Sequence, residues 1–222
     1  MAKDLQSYTD QQKQTEIPIF QDHYYLIRVI RFLKIEGIMN VRTKKELANY
    51  VNSGGKAKYL FFWGHKQNKN IVTKSCFSQW YDFPFSDAGI NFATAEHYMM
   101  HGKAKLFSDT EAMKKILNAN NPGAAKALGR SVKGFDNAIW DAHKFDLVVK
   151  ANLAKFGQKG ELQDFLLSTD KRVLVEASPV DKIWGIGLAQ DDDAATNPNL
   201  WKGENLLGFA LMEVREQLQA NQ

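Results

Sequence analysis

Residues 94 to 107 read TAEHYMMHGKAKLF, and whether they coil or extend decides the fold class. Thr94 is placed to cap a helix, because its hydroxyl can accept one of the first free backbone amides. The helix it opens carries Glu96, Met99, Met100 and Lys103. Working outward, Ser108 to Glu111 is a capping-box pattern for a second helix through Leu117, which Asn120-Asn121-Pro122 stops. Pro122 suits the first position of a third helix that ends near Gly129-Arg130. A longer helix is expected after Asp136, with Ile139, Trp140, His143, Leu147, Val148 and Ala151 on its inner face. Residues 161 to 168 follow as a short helix, 172 to 177 as a strand and Asn205 to Leu218 as a closing amphipathic helix.

Toward the N terminus, Tyr59 to Trp63 reads as a buried strand and Ile71-Val72 as its return, across a polar turn at His65 to Asn70. Thr43 to Glu46 is another capping box, and its helix ends at Asn52-Ser53-Gly54-Gly55, the clearest internal boundary. Apolar spacing from Phe20 to Ile35 fits a helix that Gly37 ends, after a polar, loose start at residues 1 to 15. Helices outnumber strands. The expected class is α+β, mostly helical: a single domain with a small β-sheet at 56–222, preceded by an N-terminal helical extension at 1–55.

The 222 residues are 44% hydrophobic and 24% charged, enough to bury a core. No segment approaches the roughly 18 uninterrupted apolar residues of a membrane span. Met1 to Asp4 leads into a polar stretch without an apolar run, so a cytoplasmic protein with no membrane partner is expected. Cys76 is the only cysteine, which excludes an internal disulfide and a cysteine-based zinc cage. The net charge is +4, with 29 basic residues interleaved among 25 acidic ones and no long basic run. That balance favours a phosphorylated or nucleotide-like ligand over a nucleic-acid track.

Glu96 and Lys103 are two helical turns apart and project from nearly one face, where they can address a small ligand or simply be solvated. Glu96 lies in the first turn, where free amides favour an anion. His97 and His101 have the i, i+4 spacing of metal ligands, but no third histidine stands at a matching interval, and no metal is expected. Asp191-Asp192-Asp193 reads as a solvated loop. CFSQWYDFPF (76–85) interleaves rings with Ser78 and Gln79, a mixture that serves either a core or the stacking of a planar base. Arg130 either caps helix carbonyls or holds a phosphate. VDKIWGIGL (180–188) sets Asp181 and Trp184 beside Gly185 and Gly187, as a tight turn or as a pocket wall.

Six stretches, in order, resemble the motifs of one family: FWG (62–64), SQWYDFPF (78–85), TAEHYMM (94–100), KALGR (126–130), LVEASPVDKIWGIGL (174–188) and NLLGFALMEVREQL (205–218). The family is NADAR, the YbiA-like N-glycosidases, and the resemblance covers roughly residues 57 to 219. It implies hydrolysis of an N-glycosidic bond between ribose and a base, with no cofactor. The implied substrates are ribosylamino-pyrimidine phosphates of riboflavin synthesis, or ADP-ribosylated guanine in nucleic acid. A binding module that holds ADP-ribose or a nucleotide without cleaving it is the alternative. By resemblance Glu96, Lys103, Asp181 and Trp184 are the catalytic candidates, and Ser78, Gln79, Trp80, Arg130, Gly185 and Asn205 the substrate-binding ones. Gln79-Trp80 stands where other members can carry Asn-Phe, so the base-contacting wall differs.

These residue types suit that chemistry. Breaking a ribosyl C–N bond builds positive charge on the sugar, and a nearby carboxylate, Glu96 or Asp181, either stabilises that charge or activates the nucleophile. A lysine of lowered pKa, with Lys103 the candidate and Lys105 a neighbouring cation, can instead attack the anomeric carbon and hold the sugar as a Schiff base. Trp184 offers a flat surface for the base or ribose, and the glycines let backbone approach.

Overall fold

The computed structural model describes residues 41–68, 71–158 and 160–221. Residues 1–39 and 40–222 group as two units, and the helix expected at 20–35, with the loose start before it, lies outside the described residues. The first described helix, α1 (Lys44–Asn52), begins as its capping box requires. Thr43 Oγ1 accepts the Glu46 amide while the Glu46 carboxylate accepts the Thr43 amide. α1 lies against the short 3-10 segment Pro198–Leu200, and Lys44 Nζ donates to Trp201 O at 2.6 Å. This helix is therefore part of the 40–222 unit, upstream of the glycine pair at 54 and 55.

Among the described residues, two small sheets carry the strands. β1 (Tyr59–Phe62) pairs in parallel with β4 (Val173–Glu176), which sets Phe62 opposite Glu176. β2 (Phe85–Asp87) and β3 (Ile90–Phe92) form an antiparallel hairpin closed by Ala88 (φ 47°) and Gly89 (φ 79°). The expected return strand at Ile71-Val72 does not form: Ile71 is 61% exposed, and the chain enters a 3-10 turn at Lys74–Phe77 instead. Two apolar residues bury too little to hold a strand. The hairpin at 85–92 places Phe85 and Phe92 in one cluster with Ala95 and Ala151, with Tyr98 packed on it.

The helices follow as α2 (Ala95–Leu106), α3 (Thr110–Leu117), α4 (Pro122–Arg130), α5 (Asn137–Phe156), α6 (Glu161–Leu167) and α7 (Leu206–Ala220). α2 packs on α3, α4 and α5; α5 also packs on α7, and α7 covers β4. Thr94 caps α2, and Pro122 is the first residue of α4, as the sequence requires. The cap of α3 is Asp109, whose Oδ1 accepts the Ala112 amide at 3.0 Å. Ser108, expected in that role, takes a left-handed conformation (φ 57°) one residue too early. In α5 the expected inner face holds only in its second half, where Val148, Val149, Ala151, Asn152, Lys155 and Phe156 are buried. Ile139 and His143 face solvent.

Two close contacts fix the elements near the carboxylates. Gly208 lets α7 lie directly on β4, since a Cβ there would stand 2.1 Å from Leu174 O. Lys155 is fully buried and donates to Cys76 O at 2.6 Å and Ser78 O at 3.0 Å, tying α5 to the segment that carries Gln79 and Trp80. Burial lowers its pKa to about 7. Burial likewise pushes the Cys76 thiol up to about 12, so Cys76 is a core residue and no nucleophile.

Candidate active site

Glu96 opens the site. It is buried in the first turn of α2, with its backbone N–H donating to Gln79 O at 2.9 Å. Burial pushes its carboxyl up to about 7, against the charges of Lys126 and Arg130 and a hydrogen bond from the Trp80 side chain, all of which favour the anion. Asp181 pushes it further up. The neighbourhood that spacing could not supply is thus a meeting of α2, α4, the 78–80 segment and the loop after β4. Trp80 anchors it: its ring centroid lies 5.6 Å from that of His65, and Lys126 Nζ stands 5.8 Å from it.

Two members were not singled out by the sequence, Lys126 and Glu176. Glu176 ends β4, and burial first, then the charges of Asp181 and Glu96, raise its carboxyl to about 8 against the pull of Lys126. The signals present were KALGR, in which the lysine stands four residues before Arg130, and the glutamate of LVEAS. Neither has a distinguishing neighbour in the chain, and only the fold sets them against Glu96.

Asp181 joins the cluster and also builds the turn that holds it. Its Oδ1 accepts the amides of Ile183 (2.9 Å) and Trp184 (2.8 Å), and its own amide donates to Ser178 Oγ. Residues 182–186 then pair with 202–207: Asn205 N–H donates to Gly185 O and Leu207 N–H to Trp184 O. Gly185 is buried, with room for no side chain: a Cβ would lie 2.8 Å from Glu176 O. Trp184 is half-buried on this turn.

The remaining candidates separate by what they touch. Lys103 packs against two rings, its Nζ 4.0 Å from the Phe135 ring centroid and 5.4 Å from that of Trp140, and burial lowers its pKa. Two turns of helix set it about 10 Å along the axis from Glu96. Arg130 is exposed in the last turn of α4. Ser78 Oγ accepts the Trp80 amide at 3.1 Å and so orients the ring. Gln79 turns inward: its Oε1 accepts from Asn152 Nδ2 at 2.9 Å, while Gln79 Nε2 is buried without a partner. The His97 ring nitrogens lie 2.8 Å from Thr94 Oγ1 and 3.1 Å from Ala119 O, so neither is free for a metal. An open groove of about 560 Å³ between α3 and α4, lined by Lys114, Asn118, Ala124 and Leu128 among others, contains none of these carboxylates.

Asn205 is fully buried in the left-handed conformation (φ 57°), and both ends of its amide are used on β4. Oδ1 accepts the Glu176 amide and Nδ2 donates to Leu174 O, each at 2.9 Å. Its geometry is that of a brace on the Glu176 backbone. Asn205→Ala is expected to lower stability by about 2 kcal/mol, since it orphans two buried backbone groups. Urea denaturation checks this, and a change under about 0.5 kcal/mol would contradict the bracing role.

The model of the NADAR domain matches residues 61–219. N-glycosidase R617 of Acanthamoeba polyphaga mimivirus is 46% identical over 167 residues, 73% of this chain and 97% of that protein. N-glycosidase YbiA of Escherichia coli (strain K12) is 34% identical over 142 residues, 64% of this chain and 80% of that protein. The NMR structure of the E. coli protein YbiA superposes with a TM-score of 0.58 at 28% identity, covering 75% of this chain and 88% of that one. With a domain match across most of its length and a fold shared with a solved relative, the chain belongs to the NADAR family.

Proposed function

We propose that the protein is an N-glycosidase that hydrolyses the bond between a phosphorylated or ADP-linked ribose and a base. The observation that carries this reading is the Glu96 carboxylate: buried, bonded by Trp80, flanked by Lys126 and Arg130, and within reach of the charge of Asp181. Relatives named N-glycosidase support it. Glu96 stabilises the sugar cation and activates water, and Trp184 gives base or ribose a surface. The cations Lys126 and Arg130 suit a phosphate or pyrophosphate. The catalytic domain is placed at residues 56–222, and α1 upstream of it packs within the same 40–222 unit. No described helix is long and apolar enough to cross a membrane.

Two substrate classes fit: ribosylamino-pyrimidine phosphates and ADP-ribosylated guanine, free or in nucleic acid. Incubating the protein with each, side by side, is expected to release ribose 5-phosphate or ADP-ribose. Tight binding with no cleavage over hours would favour a non-catalytic nucleotide-binding module.

Lys103 addresses a narrower point of mechanism. Held against Phe135 and Trp140 with a lowered pKa, it has the desolvated surroundings that free an amine for Schiff-base attack. Borohydride added during turnover decides between the two routes: direct attack by water, with Glu96 as base, leaves no adduct, and a ribose adduct lost in Lys103→Ala assigns the attack to Lys103. Full activity in Lys103→Ala with no adduct in the wild type would assign the attack to water.

A further inference from the structure

Glu176 stands in the carboxylate cluster, and its placement is specific. It sits at the carboxyl end of a parallel strand pair, the edge where α/β sheets place their ligand crevices. Its main chain is fixed on both sides: the amide donates to Asn205 Oδ1, and the carbonyl accepts Ile186 N–H at 2.9 Å. The side chain is different, for Oε2 is buried without a hydrogen-bond partner. A buried carboxylate oxygen with no donor is costly as an anion and far less so as the hydroxyl of a carboxylic acid.

The groups around the two glutamates divide them. Glu96 has the Trp80 hydrogen bond and the cations Lys126 and Arg130 against one acid, Asp181. Glu176 is faced by Glu96 from α2, by Asp181 from the following loop and by Lys126 from α4, so two acids stand against one cation. Neighbouring acids in such unequal surroundings separate into a base and an acid. Resting on the N-glycosidase reading, we infer that Glu176 carries the proton that the departing base receives, while Glu96 is the anion that faces the sugar and the attacking water. The C1′–N bond breaks with its electron pair leaving on nitrogen, which takes the proton from Glu176. Water oxygen bonds to C1′ and gives a proton to Glu96. That proton then passes to Glu176, so one water is consumed and both groups are reset.

The test is the pH profile of base release by the full chain. Burial and the neighbouring acids hold Glu176 at about 8, so the wild-type rate is expected to fall on the alkaline side near that value, as an apparent constant of the coupled carboxylates. Glu176→Gln is expected to lower kcat by about 10²–10⁴-fold and to abolish the alkaline limb while binding and melting temperature hold. A purely structural role would not remove the limb. A Glu176→Gln enzyme within about threefold of wild type, or one that keeps the limb, overturns the assignment. Should that variant fail to fold, Glu176→Asp decides: a lowered kcat with a displaced limb supports the donor, and a wild-type rate and limb overturn it. A wild type that releases no base from either substrate overturns the glycosidase reading itself, a different failure from an active wild type indifferent to Glu176.

Discussion

Glu96→Gln is expected to lower kcat by about 10²–10⁴-fold, the contribution of a positioned carboxylate to proton transfer and charge stabilisation. The variant keeps the side-chain shape and loses the anion. Its folding is expected to move the other way. Burial holds Glu96 at about 7 and Glu176 at about 8, both above the ordinary 4.5 of a glutamate. The folded state therefore binds protons that the unfolded state has released, and stability falls as pH rises from about 4.5 to 8. Glu96→Gln removes one of these titrations, so its melting temperature at pH 8 is expected to equal or exceed that of the wild type. An inactive variant that melts well below wild type would show that Glu96 holds the fold, and a fully active one would remove it from the chemistry.

Phe77→Ala is expected to cost about 3–5 kcal/mol, the largest stability loss of any substitution considered. Phe77 is fully buried, with ring centroids 5.4 Å from Phe62, 6.0 Å from Phe156 and 5.4 Å from Phe165. It joins β1, α5 and α6 around one ring, one residue before the segment that leads to Trp80. The cavity cannot collapse easily, because Lys155 is bonded to the carbonyls on either side of it, those of Cys76 and Ser78. Chemical denaturation measures the loss, and a cost below about 1.5 kcal/mol would mean that this packing is looser than the rings suggest.

Local chemistry makes much of this legible in the sequence. Thr43, Thr94 and Pro122 are helix starts whose geometry depends on the next three residues alone, and each stands where its side chain demands. Asp181 and Trp184 could be paired because their spacing is that of a turn, and the turn is built by Asp181 itself. The hairpin at 85–92 is not legible in the sequence because Ala88-Gly89 lacks the asparagine or aspartate that usually marks a two-residue turn with two positive φ values. Helical periodicity places Ile139 and His143 inward, but periodicity gives a face and not the length over which a neighbour covers it. The site was half legible for the same reason. Glu96 and Asp181 lie in distinctive motifs, whereas Lys126 is one of many helix lysines and Glu176 one polar residue at a strand end. Their meaning comes from long-range pairing, β4 beside β1 and α4 against α2.

The measurement that bears most directly on the account is a count of turnovers. Purified protein at low concentration is mixed with excess ribosylamino-pyrimidine phosphate or ADP-ribosylated guanine, and free base and freed sugar are quantified together by mass spectrometry. Many equivalents of both products per protein are expected from at least one substrate, in equal amounts, with the rate lowered by about 10²–10⁴-fold in Glu96→Gln. Saturable binding of both ligands with no product from either would contradict it.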